Sequence, residues 1–299
     1  MELTWSDECM TMAQRIVMER FAMDSVAGHL APYSTVDEME TTIRRNRFDF
    51  NEAIVIDREV FGLYEPFSFC RLSKAQVDEF GTMKGAWGIQ TRAATTFTRA
   101  ASSLARWQDV LFFRGLAEGR PLRPRFVEMP DPENPPQSLR EAALEAEQQE
   151  GSDPVPVNAP LNEGLVAAVY AAVLRLESRG YFTAYQLVLG EALWQALHQP
   201  TSGSMVLPRD RIEATLMGGS FFRTTTLPDD EALLASLDGP TFKYVIAGDP
   251  AQYPRFEFLR VQPNSNQEEL YVFRGRLRSA PLIQENRAIV RLRVQRQNP

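Results

Sequence analysis

The stretch Trp107-Gln108-Asp109-Val110-Leu111-Phe112-Phe113-Arg114-Gly115 decides how this chain is read, because it closes a helical pattern that begins near Ala86. Apolar residues recur through that pattern at helical spacing (Phe97, Ala101, Leu104, Trp107, Leu111), and Gly115 stands where a left-handed helix stop belongs. A helix of about thirty residues spans roughly 40 Å. That is long for a compact domain, and it suits a spine bracing a thin, flat subunit.

Toward the N-terminus, residues 44–72 are strand-like: Phe48-Asp49-Phe50, Ala53-Ile54-Val55-Ile56, Val60-Phe61 and Phe67-Ser68-Phe69, with few turn residues between them. The pattern predicts a long extended hairpin. Such an arm exposes unpaired edges, so either a neighbouring subunit covers it or it folds back on its own domain. Residues 4–27 predict an amphipathic helix with Thr4 or Ser6 as N-cap and Asp7 and Glu8 in the first turn. Its stripe of Trp5, Cys9, Met12 and Ile16 either packs on its own subunit or docks another protein. Met10, Met12, Met18 and Met23 give that helix an adaptable, polarizable surface.

On the other side of the spine, residues 119–160 are rich in proline (Pro121, Pro124, Pro130, Pro132, Pro135, Pro136, Pro154, Pro156, Pro160) around a short acidic helix at 139–150. With few large apolar residues, this segment is expected to be a solvated, partly mobile surface excursion. Its carboxylates, Glu141, Glu145, Glu147 and Glu150, are expected to form a solvated face. Helices are predicted at 161–178, 191–199 and 208–217, the last stopped by Gly218-Gly219, with a strand at 186–189. Strands follow at 242–246, 256–261, 270–277 and 288–294.

The 299 residues are 44% hydrophobic with a formal charge of −7, enough for one large globular domain or two ordinary ones. No apolar run approaches the roughly 20 residues of a membrane span; residues 165–176 are interrupted by Tyr170 and Arg175. The start of the chain has no basic region followed by an apolar stretch, so a cytoplasmic location is expected. Cys9 and Cys70 read as reduced, packed thiols, and His29 and His198 sit in no motif. Gly218-Gly219-Ser220 lacks the flanking glycines of a nucleophile elbow. Phosphate-loop, dinucleotide and zinc-ribbon patterns are all absent, so catalysis by the chain is not expected, nor is a metal. Arg274, Arg276 and Arg278 alternate along one strand, and Arg291 and Arg293 repeat the pattern. Such stripes either meet nucleic acid or pair, with acids such as Glu268, Glu269 or Glu285 or with another subunit, and pairing is the preferred reading.

The run that ends the spine resembles that of the encapsulins: Asp109, Phe113 and Gly115 match their pattern, while Gln108 replaces a glutamate. Two further stretches resemble the same family in order and spacing. They are Leu216-Met217-Gly218-Gly219-Ser220-Phe221-Phe222, and Glu231-Ala232-Leu233-Leu234 followed by Phe242-Lys243-Tyr244-Val245-Ile246-Ala247-Gly248-Asp249. More remotely, the chain is similar to the major capsid proteins of tailed phages. The resemblance implies an α+β fold of the tailed-phage major capsid (Hong Kong 97) type. In that fold, residues 1–44 and 68–118 would build a peripheral domain, 45–67 an extended loop, 119–255 an axial domain, and 256–299 strands returning to the peripheral domain. It implies a self-assembling icosahedral shell enclosing a cargo protein that carries a targeting peptide, such as a peroxidase or ferritin-like protein, with no nucleic acid or membrane partner. The alternative is the major capsid protein of a phage or prophage. A pore loop is implied at His198, Gln199, Pro200, Thr201, Ser202, Gly203 and Ser204, and cargo docking at Trp5, Cys9, Met12 and Ile16. Some encapsulins hold a flavin against an aromatic residue whose position here is Leu72, so no cofactor is expected; Trp87 is a conceivable substitute that reads better as a packed residue.

Overall fold

The computed structural model describes all residues except 1, 2, 4, 50–53, 83–90, 117–126, 129–134, 183, 202–205, 238–240, 264–268 and 296–299. Its helices are α1 (Asp7–Asp24), α2 (Val26–Leu30), α3 (Lys74–Thr82), α4 (Arg92–Phe113), α5 (Leu139–Glu150), α6 (Leu161–Ser178), α7 (Glu191–Leu197) and α8 (Pro208–Thr215). The strands are β1 (Tyr33–Val36), β2 (Thr42–Asp49), β3 (Ile54–Gly62), β4 (Glu65–Ser73), β5 (Val127–Glu128), β6 (Val155–Val157), β7 (Tyr185–Leu189), β8 (Phe221–Arg223), β9 (Glu231–Ser236), β10 (Phe242–Ala247), β11 (Arg255–Pro263), β12 (Glu269–Arg276), β13 (Ser279–Ile283) and β14 (Ile289–Val294).

The spine is α4. Thr91 caps it by accepting from the Ala94 amide at 3.1 Å, and its 22 residues run about 33 Å. It is shorter than the pattern predicts; residues 86–90 of that prediction lie outside the described residues. Gly115 ends it at φ +78°, and a side chain there would press on Glu141, whose Oε1 lies 2.6 Å from the position of a Cβ. Glu141 is committed to a capping box with Ser138 that starts α5, so the end of one helix and the start of the next share this spot.

Alanines 93, 94, 100, 101 and 105 on the buried face of α4 let α1 approach closely, with Phe97 and Leu104 filling the space toward the four-stranded sheet β11-β12-β4-β5. Phe97, Phe256 and Phe273 pack there with ring centroids 4.9 to 5.8 Å apart. A second core lies under α6, α7 and α8, on one face of the five-stranded sheet β6-β14-β9-β7-β8. The alternation of β9 joins the two cores: Ala232 and Leu234 enter the second, Leu233 and Ala235 the first. The three-stranded sheet β1-β10-β13 seats Val245, Ala247 and Ala280 against Ile43, Phe61 and Leu63 at the root of the β2–β3 hairpin.

In its described part, residues 127–128 and 135–160, the proline-rich segment is not the solvated excursion its composition suggests; residues 119–126 and 129–134 lie outside the described residues. Within it α5 is a core helix, with Leu139, Ala142, Ala143 and Ala146 buried together with Arg140 and Glu147. Its carboxylates are engaged: Glu147 accepts from Arg291 at 2.8 Å, Glu150 accepts from Arg287 at 3.1 Å and pairs with Arg179, and Glu145 accepts from Asn286 at 2.6 Å. Burial of small residues and buried ion pairs replaces the large apolar residues the sequence lacks there. The last strand also departs from expectation, since β14 lies inside the five-stranded sheet between β6 and β9 rather than with the strands of the other core.

Candidate assembly and docking surfaces

Three surfaces bear on assembly and docking. The first is the β2–β3 hairpin, which pairs Thr42 with Gly62 through Asp49 with Ile54, with a register shift at Arg47/Phe48. Among the described residues it forms a two-stranded sheet by itself, so both outer edges carry backbone groups without a sheet partner. Its root is fixed. Arg45 is buried over the Phe61 ring at 4.7 Å, donates to Gln137 Oε1 at 2.8 Å, and pairs with Glu59. The arm proper ends at Gly62, because Glu65 to Phe67 already belong to β4 in the four-stranded sheet, so the predicted range 45–67 is too long at its C-terminal end.

The second is α1. Its apolar stripe faces its own subunit: the Trp5 ring stacks on Phe273 at 5.0 Å and lies 4.9 Å from Phe80, and its Nε1–H donates to the Val77 carbonyl at 2.9 Å. Ile16 is buried, while Cys9 and Met12 are half-buried against the same core, with the Cys9 thiol 3.8 Å from the Gly81 carbonyl. Gln14 locks the helix by donating to the carbonyls of Gln252 and Pro254 at 2.9 and 2.8 Å and accepting from the Phe256 amide at 2.7 Å. Of the stripe, Trp5, Cys9 and Met12 remain as a half-buried rim beside α3.

The third is the loop after α7. His198 stays on its own helix, with Nδ1 3.0 Å from the Trp194 carbonyl and its ring 4.8 Å from the Trp194 ring. Asn162 on α6 donates to the Pro200 carbonyl at 3.1 Å, Gln199 is exposed, and Thr201 is buried. Ser202, Gly203 and Ser204 lie outside the described residues.

The arginine stripes pair, with partners other than those predicted. Arg274 donates to Glu257 at 2.7 Å, Arg278 to Glu65 at 2.7 Å, and Arg291 to Glu147 and Glu231. Glu257 sits directly across from Arg274 on the adjacent strand, while Glu65, Glu231 and Glu147 come from strands and a helix distant in sequence. Leu72 is fully buried in the first core, and Trp87 lies outside the described residues. Burial pushes the Cys70 thiol up to about 12, which leaves it protonated at neutral pH. Among the described residues no group of three or more His, Cys, Asp or Glu is placed to hold a metal, and no helix is long and apolar enough to cross a membrane.

Residues 147–251, the segment holding α6 to α8 and the center of the five-stranded sheet, match the family described as encapsulating protein for peroxidase. The chain as a whole superposes on the virus-like particle from Pyrococcus furiosus with a TM-score of 0.63 at 11% identity, covering 96% of this chain and 98% of that one. The chain has the Hong Kong 97-type capsid fold. The capsid of an empty GTA particle is similar at a TM-score of 0.55 and 15% identity, covering 91% and 96% of the two chains. The holo encapsulin complex from Synechococcus elongatus PCC 7942 is similar at 0.50 and 10%, covering 95% and 92%. No curated protein matches the sequence. The resemblance to encapsulins and phage capsids drawn from the three motifs thus holds, and in this capsid fold the paired hairpin, spine and two cores occupy one continuous chain.

Proposed function

We propose that the chain is a shell subunit that assembles with copies of itself into a closed icosahedral compartment around a cargo protein, and that it is not itself an enzyme. The observation that carries this reading is the capsid fold across nearly the whole chain together with the match of residues 147–251 to an encapsulating family. The arm supports it physically: a hairpin with two open edges is an aggregation liability in a lone subunit and an asset in a closed assembly, where neighbours cover it. The cargo would be a cytoplasmic protein with a targeting peptide, a peroxidase or a ferritin-like protein. Its peptide would meet the rim of Trp5, Cys9 and Met12, with Ile16 as a closed floor, and the loop from His198 to Ser204 would line a pore. The net charge of −7 and the pairing of Arg274, Arg278 and Arg291 with carboxylates favour a protein cargo over a genome.

The likeness to a GTA capsid favours a second reading, a capsid around nucleic acid. Particles purified from the native host distinguish them. A co-purifying protein with little nucleic acid is expected; nuclease-protected DNA of uniform length would establish the second reading instead.

A further inference from the structure

The β2–β3 arm is a two-stranded ribbon, too thin to hold a direction by itself, so its root must aim it. Two kinds of contact are made there. Ile43, Phe61 and Leu63 pack with Val245, Ala247 and Ala280, a burial that resists pulling out but is non-directional. Arg45 supplies the direction. It stands opposite Glu59 across the two strands and pairs with it, so one guanidinium group joins both strands of the arm. From that group Nη1 donates to Gln137 Oε1 at 2.8 Å and to the Ile283 carbonyl at 3.3 Å.

Gln137 passes the contact on. Its Nε2 donates to Glu145 Oε2 on α5 at 2.6 Å, an oxygen that also accepts from Asn286 Nδ2 at 2.6 Å. Only one orientation of the Gln137 amide serves both ends, with its oxygen toward Arg45 and its nitrogen toward Glu145. Each end is a charged group, the kind of partner that makes the stronger and more directional hydrogen bonds. The neighbours of Gln137 are fixed as well: the Pro136 carbonyl accepts from the Tyr64 hydroxyl at 3.3 Å, and Ser138 caps α5. We propose that Gln137 is the positioning residue of the arm, the relay Arg45–Gln137–Glu145 holding its direction against the subunit body. The consequence for size rests on the assembly reading above: in a closed shell every copy repeats the same contacts, so a fixed arm gives particles of one diameter and a loose arm a spread.

Three variants of the full chain test this: Gln137→Ala, Gln137→Glu, and Gln137→Glu combined with Glu145→Gln. The first removes the link. The second keeps an acceptor for Arg45 but sets a carboxylate against Glu145. The third exchanges the two groups without changing net charge and restores the link, since the new amide at 145 can donate to the new carboxylate at 137. Amide hydrogen exchange at 42–45 and 59–62 should be faster by about tenfold in the first two, the worth of one charge-assisted hydrogen bond, and should return to the original rate in the third. Electron microscopy should find a spread of diameters in the first two and one diameter in the third. Unchanged exchange in Gln137→Ala, or a double variant as loose as Gln137→Glu alone, would overturn the proposal. Failure of the unmodified chain to form particles would overturn the assembly reading instead, and exchange at the root would still decide the clamp.

Discussion

Arg140 meets Glu231 side on, Nε to Oε2 at 2.6 Å and Nη2 to Oε1 at 3.1 Å, with both side chains buried. Arg291 reaches the same carboxylate at 3.1 Å and continues to Glu147 at 2.8 Å, so one buried network ties α5 to β9 and β14. These elements frame both cores.

Removing the shared carboxylate is expected to be severe. Glu231→Gln leaves Arg140 and Arg291 short of a counter-charge in the interior, a change that costs about 3–5 kcal/mol in comparable buried pairs. Chemical denaturation of the variant should show that loss. Burial alone would raise the Glu231 pKa, but the hydrogen bond and charge of Arg140, with Arg291, hold it below the usual carboxylate value. Its contribution is therefore present above the unfolded carboxylate pKa and lost as pH falls through the folded one. Acid titration of stability should be shallower in Glu231→Gln.

Asp109 has the opposite sign. Burial pushes its carboxyl up to about 7, against the amides of Ala27 and Val26, which donate to it at 2.8 and 3.2 Å. A raised folded pKa means stability that is full below the unfolded value and lost as pH rises through about 7. Asp109→Asn should flatten the decline in denaturation midpoint between about pH 4 and 7. An unchanged slope would show that Asp109 does not titrate there.

In α6, Gly164→Ala is expected to destabilise, although alanine in a helix interior ordinarily gains about 1 kcal/mol over glycine. A Cβ at Gly164 would sit 1.8 Å from the Asn158 carbonyl oxygen, so helix and incoming chain would have to separate. A lower thermal midpoint checks the sign.

Shortening the arm tests assembly without disturbing the subunit. Replacing residues 47–58 by Asn-Gly keeps the root, where Arg45, Glu59, Ile43 and Phe61 are anchored. Size-exclusion chromatography should find folded subunits or small oligomers, because the edge pairing between neighbours is gone. Deleting 45–67 whole would also remove the start of β4 and is a poorer test.

Much of the fold was legible where local pattern and final packing coincide. The spine, α6 and the strands β7, β10, β11 and β12 carry their periodicity openly. The hairpin was legible as strands, but not its boundary, since Phe67 looks like the rest of the arm and only pairing with Arg276 assigns it to β4. In α5 the signal failed because alanines and charges build the buried face, and the partners that neutralise Arg140 and Glu147 lie some ninety to one hundred and forty residues away. Strand β9 is buried on both faces, so Glu231-Ala232-Leu233-Leu234 shows no alternation to mark it.

Electron microscopy of the full chain, expressed alone and purified by size, tests the central claim most directly. Uniform closed shells of one diameter are predicted. Particles no larger than monomers or small oligomers, from protein that is folded by circular dichroism, would contradict it.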